Sequence, residues 1–185
     1  MTKIKLLGAA AALALALGAS AVAATNPMVG GAAMYDTKDI VDNAMNSKDH
    51  TTLVAAVKAA GLVDTLKGTG PFTVFAPTNE AFAALPAGTV DSLLKPENKS
   101  TLQKVLTYHV VPGRLDTKAL DDMVKAGNGM AQLKTVEGET LTVKGMGKNL
   151  TVTDAKGNTA MVTVADVYQK NGVIQVVNKV LMPAM

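Results

Sequence analysis

Apolar residues recur every three to four positions through most of the chain before residue 129, and every second position after it. The first pattern predicts helices. Ile40, Val41 and Ala44 share one face of a helix that Thr37 or Asp36 can cap. Leu53, Val54 and Val57 mark a second, opened by His50 or Thr51 and stopped by Gly61, and Val63 to Leu66 is a further short turn. Beyond Pro86 and Gly88, Thr89 to Leu94 forms a short helix, and Pro96 begins the next. That helix carries the stripe Leu102, Val105 and Leu106, and His109 continues its spacing. Leu120, Met123 and Val124 define another, capped by Asp116 or Thr117 and ended at Gly127. The second pattern predicts strands. Leu141/Val143, Leu150/Val152 and Val162/Val164 alternate with Thr and Lys and are joined by short Gly-bearing loops, a β-meander with one wet face. Val173 to Leu181 is apolar on both faces, as a central strand requires.

One strand interrupts the helices. Phe72 to Ala76 is apolar on both sides and is entered through Gly70-Pro71, with Pro77 closing it because a proline removes a ladder donor. Thr78 has the short hydroxyl of a helix N-cap, Glu80 sits in the first turn, and Phe82 and Leu85 share a face. All three phenylalanines of a chain without tryptophan (Phe72, Phe75, Phe82) fall in this corner, so the core is expected to organise around it. Helices first and strands later give a β-rich α+β class in a single domain.

Composition changes the picture mainly at the start of the chain. Lys3 and Lys5 precede an Ala/Leu run from Leu6 to Leu17, and Ala21-Val22-Ala23 has the small-x-small form of a cleavage site. Residues 1–23 are therefore expected to be a signal peptide, with cleavage after 24 the neighbouring alternative. Residues 24–35 then form a flexible lead-in and 36–184 the folded domain. Removal of the leader leaves sixteen basic against fifteen acidic residues. Near-neutral charge argues against a nucleic-acid partner. No later stretch is long and apolar enough to span a bilayer. Localisation is expected to be secreted, periplasmic or on the cell surface. With no cysteine, the fold must rest on its core alone.

Candidate chemistry is sparse. His109 has the side chain of a general base or a ligand, but it continues a buried stripe, so it reads as a core histidine hydrogen-bonded to Asn79 or Thr78. His50 and His109 have unrelated spacing for a metal site, and no calcium-type loop is present; no metal or cofactor is expected. The ten methionines read as flexible core filler rather than a soft-metal set. Ser47, Ser92 and Ser100 lie outside any nucleophile elbow, and the adjacent Asp121 and Asp122 point apart on a helix. No catalytic constellation emerges, and the chain is not expected to be an enzyme.

Three segments carry a resemblance. FTVFAPTNEAF, with Phe72, Phe75, Pro77, Thr78, Asn79 and Phe82, resembles the first signature segment of the fasciclin-type (beta-Ig-H3/fasciclin) adhesion domain. Tyr108, His109, Val110 and Val111 resemble its central segment, and NGVIQVVNKVLMP, with Asn171, Gly172, Val173, Ile174 and Pro183, its closing one. The chain is similar to a single-domain bacterial secreted form. The resemblance implies a twisted β-sandwich or wedge with several packed helices, and an exported adhesion or interaction module acting in surface attachment, biofilm or host contact. It implies a cell-surface or matrix protein, a polysaccharide or a second copy as partner, and Tyr108, His109, Val110 and Val111 as a candidate partner surface. The closing segment departs from the pattern, since Gln175 stands where histidine is usual and Asn178 where aspartate is usual. Recognition of an integrin kind, in which a carboxylate reaches a metal, loses its acid there. The alternative that the resemblance leaves open is a carrier of an apolar small molecule such as a carotenoid.

Overall fold

The structure, a computed structural model, describes residues 26–184; the expected signal peptide lies outside them. The described chain opens with a two-stranded hairpin, β1 (Met28–Val29) against β2 (Ala32–Ala33). Val29 and Met34 are buried, and the Lys48 N–H donates to the Gly30 carbonyl at 3.2 Å. The stretch expected as a flexible lead-in is thus packed from Met28 onward, because its two apolar anchors reach the core while Gly30 and Gly31 supply the turn at positive φ.

Helices α1 (Ile40–Asn46), α2 (Thr51–Ala60) and α3 (Val63–Leu66) follow. The cap of α1 is Asp39, whose carboxylate accepts from the Asp42 N–H at 2.8 Å, rather than Asp36 or Thr37. Strand β3 (Phe72–Pro77) runs into α4 (Asn79–Ala83), with Thr78 as the cap, as its hydroxyl suggests. Then come α5 (Thr89–Leu93), α6 (Lys99–Tyr108), the short strand β4 (Val110–Pro112) and α7 (Thr117–Ala126), which Asp116 caps. Strands β5 (Met130–Lys134), β6 (Thr140–Lys144), β7 (Thr151–Thr153), β8 (Thr159–Gln169) and β9 (Gly172–Val177) complete the domain. The final strand ends at Val177, four residues before the apolar run does.

The seven strands from β3 on form one sheet in the order β4-β3-β9-β8-β7-β6-β5. β3 lies parallel to β9 in a six-residue register, Phe72 opposite Gly172 through Pro77 opposite Val177, and antiparallel to β4. β8 serves two ladders: Thr159 to Met161 pair with β7, and Val162 to Gln169 pair with β9 across two register shifts. Bulges of this kind bend a strand and let it change partners. The sheet curls until its edges meet, where the Val136 N–H donates to the Val110 carbonyl at 2.8 Å. A curled sheet with helices on it is the β-rich α+β wedge that the sequence implied.

The core divides in two, where the Phe corner alone suggested a single centre. Alternation along β3 sends Val74 and Ala76 to the helical side, where they pack with Ile40, Val57, Phe82, Leu106 and Ile174. Phe75 faces the inside of the curl, with Tyr108, Leu120, Leu141, Val152 and Leu181.

Candidate functional site

Parallel pairing of β3 with β9, and antiparallel pairing with β4, sets the three signature segments side by side at the β4 end of the sheet. The backbones are close. A Cβ at Gly172 would meet the Phe72 carbonyl oxygen at 2.0 Å, so only glycine fits there. Phe75 and Phe82 are buried, and Phe72 is half-buried at the edge of the helical core. Val173, Ile174 and Pro183 are buried as well.

The polar residues of these segments bind backbone, much of it distant in sequence. Asn171 accepts from the Ile40 N–H at the start of α1 (3.1 Å) and donates to the Leu66 and Gly68 carbonyls at the end of α3 (2.7 and 2.9 Å). Asn79 accepts from the Thr52 N–H at 3.0 Å and from the Thr51 hydroxyl at 3.1 Å, and donates to the Lys48 carbonyl at 2.7 Å. It thereby caps α2, whose own preceding residue, His50, makes no side-chain cap bond. Sequence reading had no access to either role, since the bonds span 27 to 131 residues.

The Tyr-His segment lies inside. Tyr108, His109, Val110 and Val111 are all at most 5% exposed. The Tyr108 hydroxyl donates to the Thr140 carbonyl at 3.1 Å and accepts from the Ala155 N–H at 2.9 Å, tying α6 to the start of β6 and to the loop between β7 and β8. Burial pushes its pKa up to about 12. His109 Nδ1 bonds the Val105 carbonyl at 2.8 Å, and Nε2 accepts from the Leu181 N–H at 2.9 Å. These contacts fix the neutral Nδ1–H tautomer and replace the expected partners Asn79 and Thr78, which are engaged elsewhere. Burial lowers the His109 pKa to about 4. Val110 packs on the helical core and Val111 on the other. The candidate partner surface is therefore a rivet between elements, and a ring with both nitrogens committed cannot take a substrate proton without releasing Leu181.

The two departures in the closing segment have local explanations. Gln175, fully buried, accepts from the Asp166 N–H at 3.1 Å and donates to the Leu115 carbonyl at 3.2 Å and the Asp166 carboxylate at 3.1 Å. It thus holds the bulge of β8. The exposed Asn178 accepts from the Met161 N–H at 2.8 Å and extends the β8 ladder by one side-chain bond. The buried His50 bonds Ser47 through Nδ1 at 2.9 Å, while its Nε2 has no partner and burial lowers its pKa.

Between helices and sheet lie three small apolar cavities of about 20 to 30 Å³, each the size of one or two waters. A polyene does not fit them without displacement of helices. An open cleft of about 520 Å³ runs along Val162 to Asp166 beside Thr117 and Lys148. The methionines read as core filler are mostly at the surface: of the eight between residues 26 and 184, six are exposed. Among the described residues no helix is long and apolar enough to cross a membrane, and no three His, Asp or Glu side chains gather around a metal-sized space.

The fasciclin domain family model matches residues 48–183. The chain is similar to protein sll1483 of Synechocystis sp., 49% identical over 160 residues that cover 85% of this chain and 81% of that one. It is also similar to the cell surface glycolipoprotein MPB83 of Mycobacterium bovis, 36% identical over 172 residues, 90% of this chain and 70% of that one. Among solved structures, a FAS1 domain pair from the insect cell adhesion molecule fasciclin I agrees in fold. The TM-score is 0.54 at 24% identity, over 70% of this chain and 43% of that one, so the chain spans less than half of the pair.

Proposed function

Because this chain belongs to the fasciclin domain family, we propose that it is an exported, non-catalytic interaction module through which a bacterial cell attaches to a surface, a biofilm matrix or a host. One observation carries the non-catalytic part of the reading. The Tyr108 hydroxyl and both ring nitrogens of His109, the most reactive groups of the signature segments, are spent on holding backbone. What they hold is a rigid frame, and a frame with a reactive group locked inside acts by what it displays outside. A relative described as a cell surface protein supports the location.

The partner on this reading is a cell-surface or matrix protein, a polysaccharide or a second copy. Contact is made by exposed residues, since the Tyr-His segment offers no surface without unfolding. The test has two arms. Deletion of the gene is expected to weaken attachment or aggregation, and the purified chain is expected to retain a component of its own cell envelope or matrix in a pull-down. Attachment that survives deletion across several surfaces, together with a clean pull-down, would refute the reading. A Tyr108→Phe chain that still folds should attach as the wild type does, which separates a structural role for the segment from a contact role.

A further inference from the structure

Of the nine large apolar side chains standing exposed among the described residues, six are methionines: Met28, Met45, Met123, Met130, Met146 and Met161, between 37% and 61% exposed. The others are two tyrosines and one valine; no Leu, Ile or Phe is among them. Methionine is ordinarily one of the buried residues. Here the arrangement is reversed, since the six face solvent while Met34 is 2% exposed in the core and Met182 is half-buried.

A shared docking patch would gather these side chains, because recognition by apolar contact needs contiguous area. They lie on β1, α1, α7, β5, the loop after β6, and β8, and the two that share a row across the sheet, Met130 and Met161, have the polar Lys144 and Thr151 standing between them. Leucine would supply the same apolar bulk at each place. What methionine alone adds is a thioether lone pair that accepts oxygen. The chain has no cysteine to compete for an oxidant.

We infer that the six exposed methionines form a sacrificial trap for hypohalous acids and peroxides. Each thioether loses two electrons and gains one oxygen to become the sulfoxide. Hypochlorous acid is reduced in that step to chloride with release of a proton, and hydrogen peroxide to water. The conversion turns an apolar group polar, which is harmful in a core and tolerated in solvent. Six equivalents are therefore absorbed with the fold intact, and methionine sulfoxide reductases of both epimer specificities restore the side chains. This role is independent of adhesion.

The experiment titrates the purified chain with hypochlorous acid and follows each methionine by peptide mass spectrometry. The expected result is a gain of about 16 Da at the six exposed sites before Met34 reacts, with the melting temperature held within about 2 °C until they are filled. Oxidation of Met34 in step with the six, or loss of the fold while exposed sites remain, overturns the inference. These site-by-site rates decide the matter even if no variant folds. A chain with all six changed to Leu should protect a co-dissolved target from hypochlorous acid markedly less than the wild type. Equal protection, or equal survival of cells carrying either chain under hypochlorite, overturns the trap.

Discussion

At the scale of single residues, His109 shows how burial converts a reactive side chain into a strut. The folded chain holds the ring neutral with a pKa near 4, while the unfolded chain has the ordinary value near 6.5. Between those values the unfolded state binds a proton that the folded state refuses. The ring's contribution is therefore complete above about pH 6.5 and is lost as pH falls towards 4, by up to about 1.4 kcal/mol per pH unit. His50, depressed by the same desolvation, adds to the slope with the same sign. Thermal melts between pH 7 and pH 4 should show this decline, and His109→Ala should remove most of it. At pH 7 that substitution leaves the Leu181 N–H and the Val105 carbonyl unpaired around a cavity. The expected loss is about 3 kcal/mol, or roughly 6–12 °C in melting temperature. A variant with an unchanged melt and an unchanged pH profile would contradict the assignment.

At the scale of elements, helices are capped from across the domain. Asn171, just before β9, serves the start of α1 and the end of α3, and Asn79 on α4 serves the start of α2. Asn171→Ala strands three backbone groups, most of them buried, and should cost about 2–4 kcal/mol in chemical denaturation. The more exposed Asn79→Ala should cost about 1 kcal/mol. Comparable losses from the two would mean that burial does not set their weight. Gly172→Ala tests the closest strand contact, since its new methyl must push β3 from β9. Destabilisation beyond about 3 kcal/mol, or recovery of the chain only as aggregate, is expected. A soluble variant with a wild-type melt would show that the two strands can separate freely. Most of these elements were legible beforehand because their signals are local: Thr78 caps α4 and Gly61 ends α2 as their residue types suggest. The hairpin of Met28 to Ala33 and the strand β4 were not legible, because each is too short for a period and is held by pairing partners.

At the scale of the whole molecule, the shared strands β3 and β9 separate two cores and contribute to both. Breaking either core exposes them, so the protection of their amides should approach the global unfolding free energy. Helix α5 buries no residue and should exchange first. Hydrogen exchange followed by mass spectrometry is expected to rank the Phe72 to Pro77 and Gly172 to Val177 peptides slowest and the Thr89 to Leu93 peptide fastest. Rapid exchange in β9 would mean that the sheet is not the common support. The candidate site was legible as a set of segments but not as a place. Tyr108 and His109 were recognisable by pattern, yet only the curl of the sheet put them inside, and only the packed layers put six methionines outside.

The residues alone determined the class of fold, the order of helices and strands, the central position of the last strand and the family to which the three segments point. The first three follow from periodicity, caps and turns, which depend on neighbours within about four positions, and the family from the resemblance of three short segments. Tertiary structure decided which polar side chain satisfies which backbone group, which apolar side chains are covered and how many cores form. Those outcomes depend on contacts such as Ile40 with Asn171 and His109 with Leu181, between residues 131 and 72 positions apart. No local pattern encodes a partner at that distance, because burial is a property of the assembled surface and not of the residue that ends up beneath it.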